Sequence, residues 1–167
     1  RRAAQWTADA LTGAGLQNVS LIDTPGNPVV YGDWLNAPGK PTILFYGHYD
    51  VQPVDPLNLW TTPPFEASVR DGEIYARGAA DDKGQVFMHF KAVEAHLKQE
   101  GRLPVNIKFM IEGEEEVGSE HLDGFVRDHK QDLSASVVVI SDSGMFARGV
   151  PSICYGLRGL VYFQIDL

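Results

Sequence analysis

Between Thr42 and Tyr49 the chain reads Thr-Ile-Leu-Phe-Tyr-Gly-His-Tyr, apolar on both sides of any strand it forms. A sheet with one wet face alternates apolar and polar residues, so a run without alternation predicts a strand covered on both faces. Val105–Ile111 and Ala135–Ile140 repeat the signal. Between these runs, Val86, Phe90, Val93 and Leu97 recur on one face of a helix spanning Lys83–Glu100, with Asp82 as its cap and Gly101 as its stop. Double-covered strands alternating with helices restrict the chain to one class. It is an α/β domain, three layers deep (α/β/α), around a largely parallel mixed sheet.

The remaining signals fit that frame. Residues 1–14 read as a helix ended by Gly13 and Gly15, and Val19–Ile22 and Val29–Leu35 as short strands. Asn36–Lys40 is a turn, and Asp50–Phe65 is a long loop with four prolines. Ala67–Arg70 and Glu73–Arg77 flank Asp71-Gly72, a hairpin signal. Ser119 is placed to cap a helix over Glu120–Lys130. Ser152–Leu167 reads as further strand, interrupted at Gly156–Gly159, with Cys154 as a buried structural thiol. A single cysteine excludes an internal disulfide and fits a reducing, cytoplasmic setting. The chain lacks an initial Met and stops at Leu167 inside an apolar run, so it reads as a piece of a longer protein.

Charge removes some functions. Fourteen Lys and Arg against 22 Asp and Glu leave a net charge of −8, which repels phosphate backbones, so no nucleic acid partner is expected. No apolar run approaches the roughly 18 residues of a membrane-spanning helix, so no membrane partner is expected either.

In such sheets functional groups gather beyond the carboxyl ends of the strands. Thr42–Tyr46 is followed by Gly47-His48-Tyr49-Asp50, and the hairpin by a stretch containing Asp81-Asp82-Lys83. Val105–Ile111 is followed by Glu112-Gly-Glu114-Glu115-Glu116, and Val137–Ile140 by Ser141-Asp142. Singly, each has a bland reading: a hydrogen-bonded structural histidine, a helix cap, a solvated acidic turn, a turn aspartate. Jointly, carboxylates on one rim repel one another, and only Lys83, Arg77 and Arg148 are near to balance them. A metal pair supplies the missing charge, and imidazole with carboxylates suits Zn²⁺ or Mn²⁺ better than Ca²⁺.

Gly47-His-Tyr-Asp-Val-Gln-Pro53, Ala80-Asp-Asp-Lys-Gly84, Glu112-Gly-Glu-Glu-Glu-Val-Gly-Ser119 and Ile140-Ser-Asp142 follow one another in order. They closely resemble the successive motifs of the carnosinase and nonspecific dipeptidase branch of the aminoacylase/carboxypeptidase-G-like two-metal metallopeptidases. The resemblance runs from about residue 28 onward and includes Trp60–Phe65 and Tyr155–Gly159. It implies a zinc-peptidase-like fold, truncated here: residues 1–155 would form the N-terminal part of the catalytic domain. Residues 156–167 would begin a smaller lid through which the parent dimerises.

The same resemblance implies roles. Asp81 would bridge two divalent ions, Zn or Mn. His48 and Asp142 would complete one ion's ligands, and Glu116 would bind the other, whose histidine ligand lies downstream of the lid. Glu115 would be the general base, and Asp50 would orient His48. The Asp81–Asp82 peptide would be cis. The implied activity is hydrolysis of dipeptides or short peptides. Deacylation of N-acyl amino acids by the same chemistry, a metal-free binding domain and a two-carboxylate glycoside hydrolase are the alternatives. By itself the chain is expected to be nearly inactive and to bind the His48–Asp81–Asp142 ion better than the other. Its other histidines, His89, His96, His121 and His129, read as surface residues.

Overall fold

The computed structural model describes residues 1–166; Leu167, the last residue of the expected terminal strand, lies outside the described residues. Helix α1 (Arg2–Gly13) leads into strands β1 (Gln17–Ile22), β2 (Val29–Trp34) and β3 (Thr42–His48). The hairpin strands β4 (Ser68–Arg70) and β5 (Glu73–Tyr75) precede helix α2 (Lys83–Glu100). Strand β6 (Asn106–Glu112), helix α3 (Leu122–Asp128) and strand β7 (Val137–Ile140) complete the order.

The main sheet has the order β1-β2-β6-β3-β7. β2 runs against both β1 and β6, while β6, β3 and β7 run parallel, so four of the five strands point the same way. The carboxyl ends of β3, β6 and β7 therefore share one edge, which positions the site. In the separate hairpin, Asp71 and Gly72 take φ of 51° and 78°, the double positive φ of a two-residue type I′ turn.

Two apolar clusters flank the sheet. On one face Ala4, Ala8 and Leu11 of α1 and Phe90 and Val93 of α2 pack on Val30, Ile107, Phe109 and Ile111. There Phe90 meets Phe109 edge-on at 5.1 Å, a geometry worth about 0.5–1.5 kcal/mol beyond the area it buries. On the other face Phe125 of α3 and Leu133 pack on Val29, Leu44 and Met110. Helices on both faces make the expected three layers. β6 is buried at all seven positions, although it carries Asn106, Lys108 and Glu112. Each finds partners: Asn106 exchanges hydrogen bonds with Ala37, and Lys108 donates to the carbonyls of Asp132 and Ser134. Glu112 accepts from Tyr46 and Ser119, which makes the burial of polar groups tolerable.

Several expectations need correcting. Asp82 precedes α2 but makes no side-chain cap; its carboxylate turns instead to the buried amide of His48. Gly101 does end α2, in the left-handed conformation at φ 67°. Ser119 does not cap α3 either, because its hydroxyl is donated to Glu112, and α3 is shorter than expected. β7 is not buried as expected: it is an edge strand of the sheet, with Val137, Val138 and Ile140 exposed. Residues 152–166 form no strand, having no partner strand among the described residues, and Cys154 is exposed rather than buried. No helix among the described residues is long and apolar enough to cross a membrane.

Candidate metal centre

The centre is built around His48, the last residue of β3 and fully buried. Gly47 lets it sit there: a side chain at that position would collide with Val86 and the Asp82 carboxylate, so β3 can end hard against the start of α2. The His48 amide donates to Asp82 Oδ2 at 3.3 Å. On the ring, Nδ1 faces Asp50, 3.2 Å from both its carbonyl oxygen and its Oδ1. A proton held on Nδ1 by Asp50 leaves the Nε2 lone pair free.

Nε2 faces a ring of carboxylates drawn from three other parts of the chain. Asp81 Oδ1, from the turn before α2, is 3.1 Å away. Asp142 Oδ2, beyond β7, is at 3.4 Å, and Glu115 Oε2, beyond β6, is at 3.8 Å. One ligand atom each from His48, Asp81 and Asp142 lie within 4.8 Å of one another, a donor set with the span of one metal ion. The Asp81–Asp82 peptide is cis.

Two of the six site residues stand behind or beside this group. Asp50 spans the exits of β3 and β6: one oxygen faces His48, and Oδ2 accepts the Glu116 amide at 3.0 Å. Glu116 lies outside the three-residue group, its carboxylate held by the backbone and side-chain amides of Gln52 at 3.1 and 2.7 Å. Sequence reasoning passed over Gln52 and read Asp82 only as a helix cap. Both act through contacts distant in sequence, and a hydrogen bond across 64 or 34 residues leaves no local pattern.

The electrostatics show a negative site. Burial and the nearby charges of Asp142, Glu116 and Asp50 raise the pKa of Glu115, against the pull of His48. Burial and the charge of Asp81 likewise raise Asp142. Asp82 is pushed up to about 6, chiefly by burial, with Asp142 and Asp81 adding to it. Asp50 moves the other way: burial opposes its charge, but the contacts with His48 and the Glu116 amide prevail. For His48, burial favours the neutral ring, yet Asp50, Glu115 and Asp142 together raise its pKa to about 9.

A metal ion at this point would compete with a proton for the His48 side chain. The metal-free ring carries its extra proton up to pH about 9 and must lose it to ligate. Metal affinity is expected to rise by up to about tenfold per pH unit toward that value and to level off above it. Calorimetric titration in buffers of different ionisation enthalpy should show near one proton released per ion at neutral pH. Heats independent of the buffer would contradict this.

Of the other histidines, His96 is exposed, as expected. His121 is half-buried and paired with Glu114 at 2.8 Å, and His129 stacks on Phe125 at 4.5 Å. His89 corrects the surface reading: it is half-buried, with its ring 4.4 Å from that of Phe45.

Comparison with known proteins follows the same lines. Residues 44–157 match the model of the family described as Peptidase family M20/M25/M40. The chain is similar to the human Beta-Ala-His dipeptidase, 43% identical over 145 residues, which are 86% of this chain and 29% of that protein. It is 41% identical over 156 residues to the Cys-Gly metallodipeptidase dug1 of Schizosaccharomyces pombe, covering 92% of this chain and 33% of that one. The crystal structure of human carnosine dipeptidase 1 superposes with a TM-score of 0.79 at 39% identity, over 85% of this chain and 32% of that chain. The chain thus spans about a third of the length of the curated relatives it matches.

Proposed function

The chain belongs to peptidase family M20/M25/M40, and from that premise we propose that the full-length protein hydrolyses dipeptides or short peptides at a two-metal centre on this edge of the sheet. The observation that carries the proposal is the convergence of His48, Asp81 and Asp142 on one point. The donor set fits a divalent ion such as zinc or manganese: a neutral imidazole nitrogen with carboxylate oxygens, in a site whose acids outnumber the bases beside it. His48, Asp81 and Asp142 would hold one ion, and Asp81 and Glu116 the other. When bound, such ions lower the pKa of water and polarise a carbonyl oxygen.

The remaining work falls to the chain's own side chains. Asp50 holds the proton on His48 Nδ1 and fixes the ring's direction. Gln52 orients the Glu116 carboxylate. Glu115 accepts the proton of the attacking water as its oxygen joins the carbonyl carbon. It then returns the proton to the amine as the carbon–nitrogen bond breaks. The raised pKa of Glu115 suits a group that must both take up and release a proton. With this reading go a lid that begins after residue 155, dimerisation through it, and a cytoplasmic location.

The experiment is a chelation series on the full-length protein. Dipeptides such as β-Ala-His and Cys-Gly should be hydrolysed, the activity should vanish on chelation, and added Zn²⁺ or Mn²⁺ should restore it. Hydrolysis that survives complete metal removal would overturn the proposal. Faster turnover of N-acyl amino acids than of dipeptides would replace its substrate class.

A further inference from the structure

Asp142 follows an edge strand, and residues 141–143 make few contacts of their own. The only backbone hydrogen bond shown within them joins the Ser143 amide to the Ser141 carbonyl. Besides the contact of Asp142 with His48 at 3.4 Å, the side-chain hydrogen bonds to this segment come from helix α2. Gln85 and His89, four residues apart and so on one face of the helix, reach the two neighbours of Asp142. His89 Nε2 shares a 2.6 Å hydrogen bond with Ser141 Oγ, and Gln85 Nε2 donates to the Ser143 carbonyl at 3.4 Å.

The His89 ring is itself well anchored. It lies 4.4 Å from Phe45, which stacks on Phe109 at 5.0 Å, which in turn meets Phe90. The aromatic column joins α2 to β3 and β6, the two strands that deliver His48 and Glu115. Helix α2 also begins directly after Asp81-Asp82. One rigid helix therefore sets the position of Asp81 at its start and reaches the segment bearing Asp142 from its second turn.

We propose that His89 is a positioning residue for the metal centre, holding Asp142 in ligating range through the Ser141 hydroxyl. The proposal rests on the metal-centre reading above. Loss of a partner that orients a ligand costs about 10–100-fold in metal affinity, and that range is the effect expected here. It also gives His89 a role other than that of a surface side chain on an amphipathic helix.

The test is Zn²⁺ affinity, measured by competition with a chromophoric chelator, on the full-length protein and its variants. H89A and S141A should each weaken the site formed by His48, Asp81 and Asp142 by about 10–100-fold. Because they remove one shared bond, the double variant should be no weaker than the worse single one. H89Q, which keeps a hydrogen-bonding group on a long side chain, should recover part of the loss. The melting temperature of the metal-free protein is read in parallel, and S141A serves as the milder variant if H89A unfolds. Parental affinity in both single variants, or fully additive losses, would overturn the positioning role. D142A separates this failure from that of the metal centre: it should abolish binding at the site formed by His48, Asp81 and Asp142. If D142A binds Zn²⁺ like the parent, the metal-centre reading falls and the positioning role with it.

Discussion

Glu115→Gln is expected to lower kcat for dipeptide hydrolysis by the full-length protein by about 10²–10⁴-fold while leaving its metal content unchanged. Glutamine keeps the shape of the side chain and can still accept a hydrogen bond, but it cannot take up a proton. A loss of that size corresponds to roughly 3–5 kcal/mol in the activation barrier. Glu115 lies at 3.8 Å from His48 Nε2, outside the group of three that converges most tightly, so its loss should spare the bound ions. The glutamine variant relieves the repulsion between Glu115 and Asp142, and Glu115 forms no part of either apolar cluster, so its metal-free form should remain folded. Steady-state kinetics with metal analysis on the same preparation checks both halves. A variant retaining more than about a tenth of the parental kcat would remove Glu115 from proton transfer.

Asp81→Asn should have the largest effect on metal binding. Asp81 Oδ1 is the nearest carboxylate oxygen to His48 Nε2, at 3.1 Å, and on the proposed reading this residue serves both ions. Its replacement should weaken binding by more than about 100-fold, beyond the range seen when only an orienting partner is lost. Activity should fall with metal occupancy. The fold should survive, because the Asp81 side chain is 60% exposed and forms no part of either apolar cluster. The melting temperature of the metal-free variant should stay within roughly 4 °C of the parent. Metal titration beside thermal denaturation distinguishes the two quantities. A variant that keeps both ions with parental affinity would show that the bridge lies elsewhere.

The parts of the molecule that could be read from the sequence are those governed by local rules. Helix α2 begins and ends where the spacing of Val86, Phe90, Val93 and Leu97 and the glycine at 101 place it, because helix periodicity and a left-handed stop are short-range properties. The Asp71-Gly72 hairpin is of the same kind, and the parallel sheet was read from the apolar runs without alternation that alternate with helices. The topology also brings His48 and Asp142, which follow β3 and β7, to a common edge, while Asp81, from the turn before α2, was legible only through the motifs that carry the family resemblance.

The failures share a different cause. Asp82 and Ser119 carry sound capping signals, but a buried amide 34 residues from Asp82 and a buried carboxylate 7 residues from Ser119 compete for them and win. The β-branched run before Asp142 does form a strand, yet its sequence could not show that it lies at the edge of the sheet. Residues 152–166 have strand-like composition and no strand to pair with among the described residues, and composition specifies a willingness to pair, not a partner. His89 was misread because a histidine opposite the apolar stripe of a helix is usually wet, whereas here Phe45 of β3 and Ser141, just beyond β7, meet it.

The central claim is that the acidic edge beyond β3, β6 and β7 is a metal centre organised on Asp81. Anomalous diffraction at the zinc edge, from crystals of the full-length protein grown with Zn²⁺, tests it most directly. The account predicts two strong peaks, both within bonding distance of Asp81, one of them shared with His48 and Asp142 and the other with Glu116. Peaks confined to other residues, with none bonded to Asp81, would contradict it.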